Sequence, residues 1–460
     1  MARDCQFSLG ASSGRAQWQL AESGLIVTPE DRSPLVYALR EFQGISGDGY
    51  EIRLKVPAPT GSPDTLTLSH LGAEGPTLLE ALQRAWLVER SAALRLSGSG
   101  EAKPFSGTVA GLGMARLADT AARAPGEAQP FRGLLYEDVL LVATEGDDVE
   151  PVFLALLDSV SLDDAAYVVR LVRWPAGEVV VSKLGRRTEE LIKDLSANRA
   201  VLARESAETL AVNAGLLAAG ARAALAGSWP PGRLLDIRAM ELACPGFDKV
   251  FRSGWLARLP RRQEAEFLAG WALDGPVFLG CSRPQDDVAG ADASTENNEQ
   301  TQPHNPDSPG IGQGIAQAIA GATTGVPPAA PGDPTTAPSE DQTEGQSAAS
   351  TGTVAAPVLW MLCGKGEHWF LEALSEGDRA TYHFRSGPEI VALVSQLLCA
   401  PQFSREALYL PLDSLSGDRS DLRIAAQYLS FLVDLRARFV GRVIHQTLVS
   451  WSAGIQSATR

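Results

Sequence analysis

Two segments of this chain, about 115 residues apart, repeat the same order of residues. The first reads Tyr50-Glu-Ile-Arg-Leu54, then Leu66-Thr-Leu-Ser-His-Leu-Gly72, then a helical pattern carrying Leu78, Leu79 and Leu82. The second reads Tyr167-Val-Val-Arg-Leu171, then Val179-Val-Val-Ser-Lys-Leu-Gly185, then a helical pattern carrying Leu191, Ile192 and Leu195. Gly72 and Gly185 stand at the same offset from their helices, and the difference in length falls in the Pro57–Pro63 loop, where insertions are tolerated. A strand–strand–helix unit repeated at this spacing means duplicated domains, because solenoid repeats are shorter. The repeat predicts that Tyr50 and Tyr167 hold equivalent strand positions. It also predicts that the two glycines turn the chain from the last strand into the helix.

The first unit is rich in short β-prone runs: Gln17–Leu20, Leu25–Val27, Leu35–Tyr37, Tyr50–Val56 and Thr65–His70, separated by Gly, Pro, Asp and Ser. Tyr50, Ile52, Leu54 and Val56 alternate with Glu51, Arg53 and Lys55, which gives one buried and one wet face. Leu78, Leu79, Leu82, Trp86 and Ala93 form one stripe of the following helix. The second unit repeats the plan with strands at Leu134–Tyr136, Val139–Val142, Val152–Leu157, Tyr167–Val172 and Val179–Ser182, then a helix over Arg187–Leu202. Ser97–Pro130 between them is Gly- and Ala-rich, with a helical patch at Met114–Arg123, and reads as a surface connection.

Strands first and one helix last is an order that resembles the pleckstrin-homology-like fold, over roughly Gln17–Leu96 and Phe131–Arg204. The chain looks like one of the uncharacterised bacterial proteins built from tandem domains of this kind. The resemblance implies α+β architecture, with two β-barrels each closed by a C-terminal helix. The expected division is a first such domain at 1–97, a connector with the second at 98–207, and an α+β C-terminal domain at 208–460. Many pleckstrin-homology domains hold phosphoinositides with a basic hairpin between their first two strands. The hairpins matched to it here, Leu20-Ala-Glu-Ser-Gly-Leu and Leu135-Tyr-Glu-Asp-Val-Leu, carry acids instead, which argues against a phosphoinositide membrane as partner.

In the third region Arg283–Ala356 is rich in Gln, Thr, Pro, Asn, Gly, Ala and acids, and its composition predicts a disordered acidic insertion. Val277–Leu279 and Val358–Leu362 on either side are candidates to pair, which would place the insertion at a hairpin tip. Beyond it Trp369–Leu374, Ala380–Phe384 and a helix at Pro388–Leu398 echo strand–strand–helix, as a decayed third copy would. The chain then reads as one long helix, Ser420–Trp451, with Tyr428, Leu432, Leu435, Phe439 and Val443 as its apolar stripe.

Composition narrows the function classes. The 460 residues carry a net charge of −15, which argues against non-specific binding to nucleic acid or to anionic lipid. Five scattered cysteines with no CxxC pair indicate neither a disulfide framework nor a zinc site. The start has no apolar run long enough for a signal peptide, and Leu210–Ala226 falls short of a membrane span, so a cytoplasmic location is expected.

Few residues suggest chemistry. Gly10-Ala-Ser12-Ser-Gly14 has the spacing of a nucleophile elbow but lies in a β-meander and reads as a turn. Gly310-Ile-Gly-Gln-Gly314 has the flavour of a phosphate loop without its strand or lysine. None of His70, His304, His368, His383 and His445 has metal-ligand spacing on a helix, although His368 and His383 are placed to face each other across adjacent strands. No cofactor or metal is implied.

The candidate anion- or partner-binding residues are His70, Lys183, Arg186 and Arg187. His70 and Lys183 hold the same place in the two copies. The three cations of the second copy oppose the dipole of the helix they precede, so they lack a local stabilising role. The expected function is that of a non-enzymatic protein-interaction module, a scaffold or adaptor that binds a protein partner or itself. The alternative is an anion- or membrane-binding adaptor using the basic junction of the second domain.

Overall fold

The computed structural model describes residues 3–21, 24–48, 50–57, 63–97, 101–112, 128–144, 149–175, 177–213, 218–256, 262–272, 275–282, 358–374, 380–402 and 404–459. It is an α+β protein with three antiparallel sheets. The first sheet holds β1 (Arg3–Leu9), β2 (Ser12–Leu20), β3 (Gly24–Pro29), β4 (Leu35–Ala38), β5 (Gly44–Gly47), β6 (Glu51–Val56) and β7 (Asp64–Ser69), followed by helix α1 (Gly75–Ala93). The second holds β8 (Lys103–Ala110), β9 (Gln129–Leu135), β10 (Val139–Thr144), β11 (Val149–Phe153), β12 (Leu157–Asp163), β13 (Val168–Arg173) and β14 (Glu178–Ser182), followed by α2 (Thr188–Asn213).

The two sheets have one topology. Their orders are β4-β3-β2-β1-β7-β6-β5 and β11-β10-β9-β8-β14-β13-β12, so each strand of the second copy takes the place of the strand seven earlier in the count. Alternation explains the burial: Ile52, Leu54, Leu66 and Leu68 in one copy, and Val169, Leu171, Val179 and Val181 in the other, are fully buried. A 3₁₀ turn follows the fourth strand in each copy, at Leu39–Glu41 and Leu154–Leu156. The helix seals the chain at that turn. Trp86 Nε1 donates to Phe42 O at 2.9 Å, and Arg199 Nη2, at the matching place on α2, donates to Leu157 O at 3.0 Å. Both sheets are open among the described residues, since no hydrogen-bonded pairing joins β4 to β5 or β11 to β12.

Several sequence expectations need correction here. Each unit has two more strands than its strongest runs suggested. β1 and β5 were missed in the first, and β8, inside the stretch read as a connection, begins the second sheet. The acidic hairpins are therefore the second of each unit, joining β2 to β3 and β9 to β10. The true first hairpin of the first copy turns at Gly10, with φ +57°, and Ser12 simply opens β2. Tyr50 and Tyr167 are equivalent, but they stand in the turns just before β6 and β13 rather than in the strands. The Met114–Arg123 patch lies outside the described residues.

The third region opens with α3 (Ala219–Ser228), β15 (Leu235–Asp236), α4 (Ile237–Ala243), α5 (Phe247–Val250) and α6 (Arg262–Trp271). β16 (Val277–Ser282), β17 (Val358–Lys365), β18 (His368–Ala373) and β19 (Ala380–Arg385) follow. After them come α7 (Ile390–Cys399), α8 (Glu406–Tyr409), α9 (Ser420–Tyr428), α10 (Ser430–Arg438), β20 (Phe439–Ile444) and α11 (Leu448–Ala458). The strand order β15-β16-β17-β18-β19-β20 is that of a meander and does not repeat the topology of the first two sheets. The long terminal helix is also corrected: it is two short helices, an edge strand and a last helix, with Phe439 and Val443 in the strand.

One continuous hydrophobic cluster contains Leu54 and Trp86 of the first unit, Leu141 and Phe153 of the second, and Leu393 and Phe431 of the third. The candidate hairpin does form: Ser282 pairs with Val358 and Phe278 with Leu362. Arg283–Ala356, with His304 and Gly310–Gly314, lies outside the described residues. Because Ser282 and Val358 are already cross-strand neighbours, replacing residues 283–357 with a two-residue Asn-Gly turn is expected to preserve the fold. Closing the shorter loop costs less chain entropy, by at most about 3 kcal/mol. The urea midpoint of the deletion variant should therefore be no lower than that of the full chain, and a lower midpoint would show that the tract contributes to the folded unit.

Candidate functional site

Two places concentrate polar groups. The first is the pair of strand–helix junctions singled out by the repeat. At His70-Leu71-Gly72 the φ angles run +58°, −77° and +62°, and at Lys183-Leu184-Gly185 they run +56°, −76° and +60°. A left-handed conformation costs any residue with a Cβ on the order of 1–2 kcal/mol, so His70 and Lys183 hold strained backbone at the same point of both copies. A short 3₁₀ turn follows in each, at Gly72–Glu74 and Gly185–Arg187, with no side-chain cap on its first amides.

The side chains of the two junctions differ. Lys183 and Arg186 are exposed. Arg187 is half-buried and occupied: it pairs with Glu190 at 3.0 Å, donates to Pro104 O and lies 4.3 Å from the centre of the Phe105 ring. That pairing holds the Glu190 carboxyl below its usual range. Arg187 thus clamps the helix start onto β8, which is the local stabilising role its sequence position concealed. In the first copy Glu74 takes that place and pairs with Arg3 of β1, while His70 is exposed.

The second place is a buried polar ladder on one face of the third sheet. Glu372 of β18 is fully buried, and Thr381 of β19 donates its hydroxyl hydrogen to Glu372 Oε2. Trp451 Nε1 of α11 donates to Thr381 Oγ1 at 2.8 Å. His445 Nε2 lies 2.9 Å from the same oxygen and 3.3 Å from Glu372 Oε2. With its one hydrogen committed to the carboxylate, the hydroxyl accepts from both rings, which assigns the proton to Nε2 of His445.

Further along the face His383 Nε2 meets His368 Nδ1 at 3.1 Å, and the His383 ring stacks on Phe370 at 4.6 Å between centres. The expected facing of His368 and His383 is found. Burial, reinforced by His368 and Arg385, pushes the His383 imidazole down to about 4. Burial also raises the neighbouring Cys363 thiol, with Glu372 adding to the effect.

Glu372, Thr381, His445 and Trp451 were not readable as a group, since only strand register and the return of α11 bring them together. The arrangement ties α11 to the sheet. Among the described residues no group of three or more His, Cys, Asp or Glu has the arrangement to hold a metal ion. A cavity lined by Asp138, Leu202, Ser282 and Cys399 has about 20 Å³, room for one water.

Outside these places the copies share one more feature. Tyr50 is 73% exposed and Tyr167 49% exposed, each at the tip of the hairpin that precedes its sixth strand. An aspartate fixes each tip: Asp48 Oδ1 accepts from the amides of Tyr50 and Glu51, and Asp163 Oδ1 accepts from that of Ala166. These bonds hold both carboxyls below the usual range.

Among the described residues no helix is long and apolar enough to cross a membrane. No protein-family model matches the sequence, and comparison with curated proteins gives no significant match, so the fold and these sites carry the functional reading.

Proposed function

We propose that this chain is a non-enzymatic protein-interaction module of the cytoplasm, a scaffold or adaptor whose first two units are divergent pleckstrin-homology-like domains. The domain reading rests on the shared seven-strand order and the single C-terminal helix laid over the turn between the fourth and fifth strands. The observation that carries the interaction reading is the pair of equivalent, exposed tyrosines. Tyrosine offers large contact area at low entropic cost and is enriched where interfaces are strongest. Neither ring contributes to a core, and Tyr167 holds a left-handed backbone at φ +51°. A duplicated anchor also gains avidity when both copies engage one partner together.

A second reading is favoured by the junction of the second unit, where Lys183 and Arg186 are exposed beside uncapped amides. It makes the chain an anion- or membrane-binding adaptor.

The test is affinity capture from a native extract followed by reconstitution with the purified partner. Tyr50→Ser/Tyr167→Ser should weaken the reconstituted complex at least tenfold without changing the urea midpoint, since both rings are exposed. Lys183→Glu/Arg186→Glu should weaken it less, though more than Ser12→Ala does. If the tyrosine pair has no effect while the charge reversals abolish salt-sensitive binding to anionic vesicles, the second reading replaces the first.

A further inference from the structure

The third sheet ends in a free edge. Among the described residues β20 pairs with β19 on one side and with no strand on the other, which leaves backbone donors and acceptors along it open to a further strand. Of the ten large apolar side chains exposed among the described residues, five lie within ten positions of this edge: Val433 at 41%, Val440 at 55%, Ile444 at 44%, Leu448 at 37% and Val449 at 78%. Scattered exposed apolar residues need no explanation, but a cluster beside an unpaired strand does.

Charge selects the occupant. In a chain of net charge −15, residues 435–460 contain four arginines and no acidic residue. Arg436 is spent on the carbonyls of Ala407 and Leu410, and Arg438 on Asp434 and Glu389. Arg442 is exposed, its guanidinium is held 3.7 Å from the centre of the Tyr409 ring, and no acid pairs with it among the described residues. The strand also carries a bulge opposite His383 and Phe384. A bulge and an outward charge are the devices that discourage an edge from pairing with its own kind. A second copy docked here would bring arginines together with no acid between them, whereas an acidic strand would neutralise Arg442 as it paired.

We propose that the β20 edge is a docking strand for an extended acidic segment of a protein partner, which adds a seventh strand to the third sheet and covers Val440 and Ile444. This surface is separate from the hairpin tips of the first two units, and its failure would leave that reading untouched.

The probe is a fluorescent eight-residue peptide alternating Val with Glu, titrated into the full chain and followed by anisotropy. It should bind, lose at least tenfold in affinity on N-methylation of alternate residues, and weaken as salt rises. A Lys-for-Glu version should not bind the native chain. Arg442→Glu should reverse the preference between the two peptides, whereas Arg204→Glu, the same reversal at an exposed position on α2, should leave it unchanged. No binding at millimolar peptide, or binding indifferent to both N-methylation and Arg442→Glu, would overturn the proposal. So would a dimer in sedimentation velocity that the peptide dissociates, which would assign the edge to a second copy.

Discussion

Replacing Arg90 with alanine should lower the unfolding free energy by roughly 3–5 kcal/mol. Arg90 is fully buried on α1, its Nη1 donates to Arg40 O at 2.8 Å, and its guanidinium lies 4.5 Å from the centre of the Tyr428 ring on α9. The surroundings bind the same two regions: Gln43 donates to Tyr428 Oη at 2.9 Å and Arg40 pairs with Asp421 at 3.3 Å. Truncation removes a large side chain from close packing and takes the donor from a part-buried carbonyl. Arg90→Met keeps most of the volume and should cost roughly 1–3 kcal/mol, the polar share alone. Urea unfolding of both variants separates the two contributions. A cost under 1 kcal/mol for alanine would show that this contact does not hold the first unit to the third region.

Acid should destabilise the protein through His383. Its imidazole is 3% exposed and titrates at about 4 in the folded chain, against about 6.5 when unfolded. Because the folded-state value is depressed, the unfolded chain takes up a proton that the folded chain refuses. Stability is therefore complete above about pH 6.5 and falls as pH drops towards 4, by about 3 kcal/mol over that window. His383→Gln removes this titration, so its unfolding free energy should change less between pH 7 and pH 4.5 than that of the native chain. Equal losses in the two proteins would show that other groups carry the acid response.

Local patterns reveal the buried faces of β6, β7, β13 and β14, because a side chain's face in a strand follows from parity alone. The same parity is present in β1, where Cys5 and Phe7 are buried between Asp4, Gln6 and Ser8, in a run with few β-branched residues to flag it. β8 was concealed by its own requirements. A Cβ at Gly107 would lie 2.4 Å from Ser182 O, so the glycine that makes the strand look like a linker is what allows it to pack there. β20 failed differently. Its apolar residues follow the α9 and α10 stripe closely enough that helical and strand periods agree over so short a run.

The duplication, the alternating faces and the glycine turns at 72 and 185 are legible from the chain alone, since each is encoded within a few residues of itself. Which polar groups meet depends on the packing of distant segments. Lys183 and Arg187 look alike as cations before a helix, yet one is exposed and the other is clamped between Glu190 and Phe105. Glu372, Thr381, His445 and Trp451 share a hydrogen-bond network because the register of β18 on β19 and the return of α11 place them together. Register and helix docking are settled by many contacts between distant segments at once, and no short stretch of chain contains that sum.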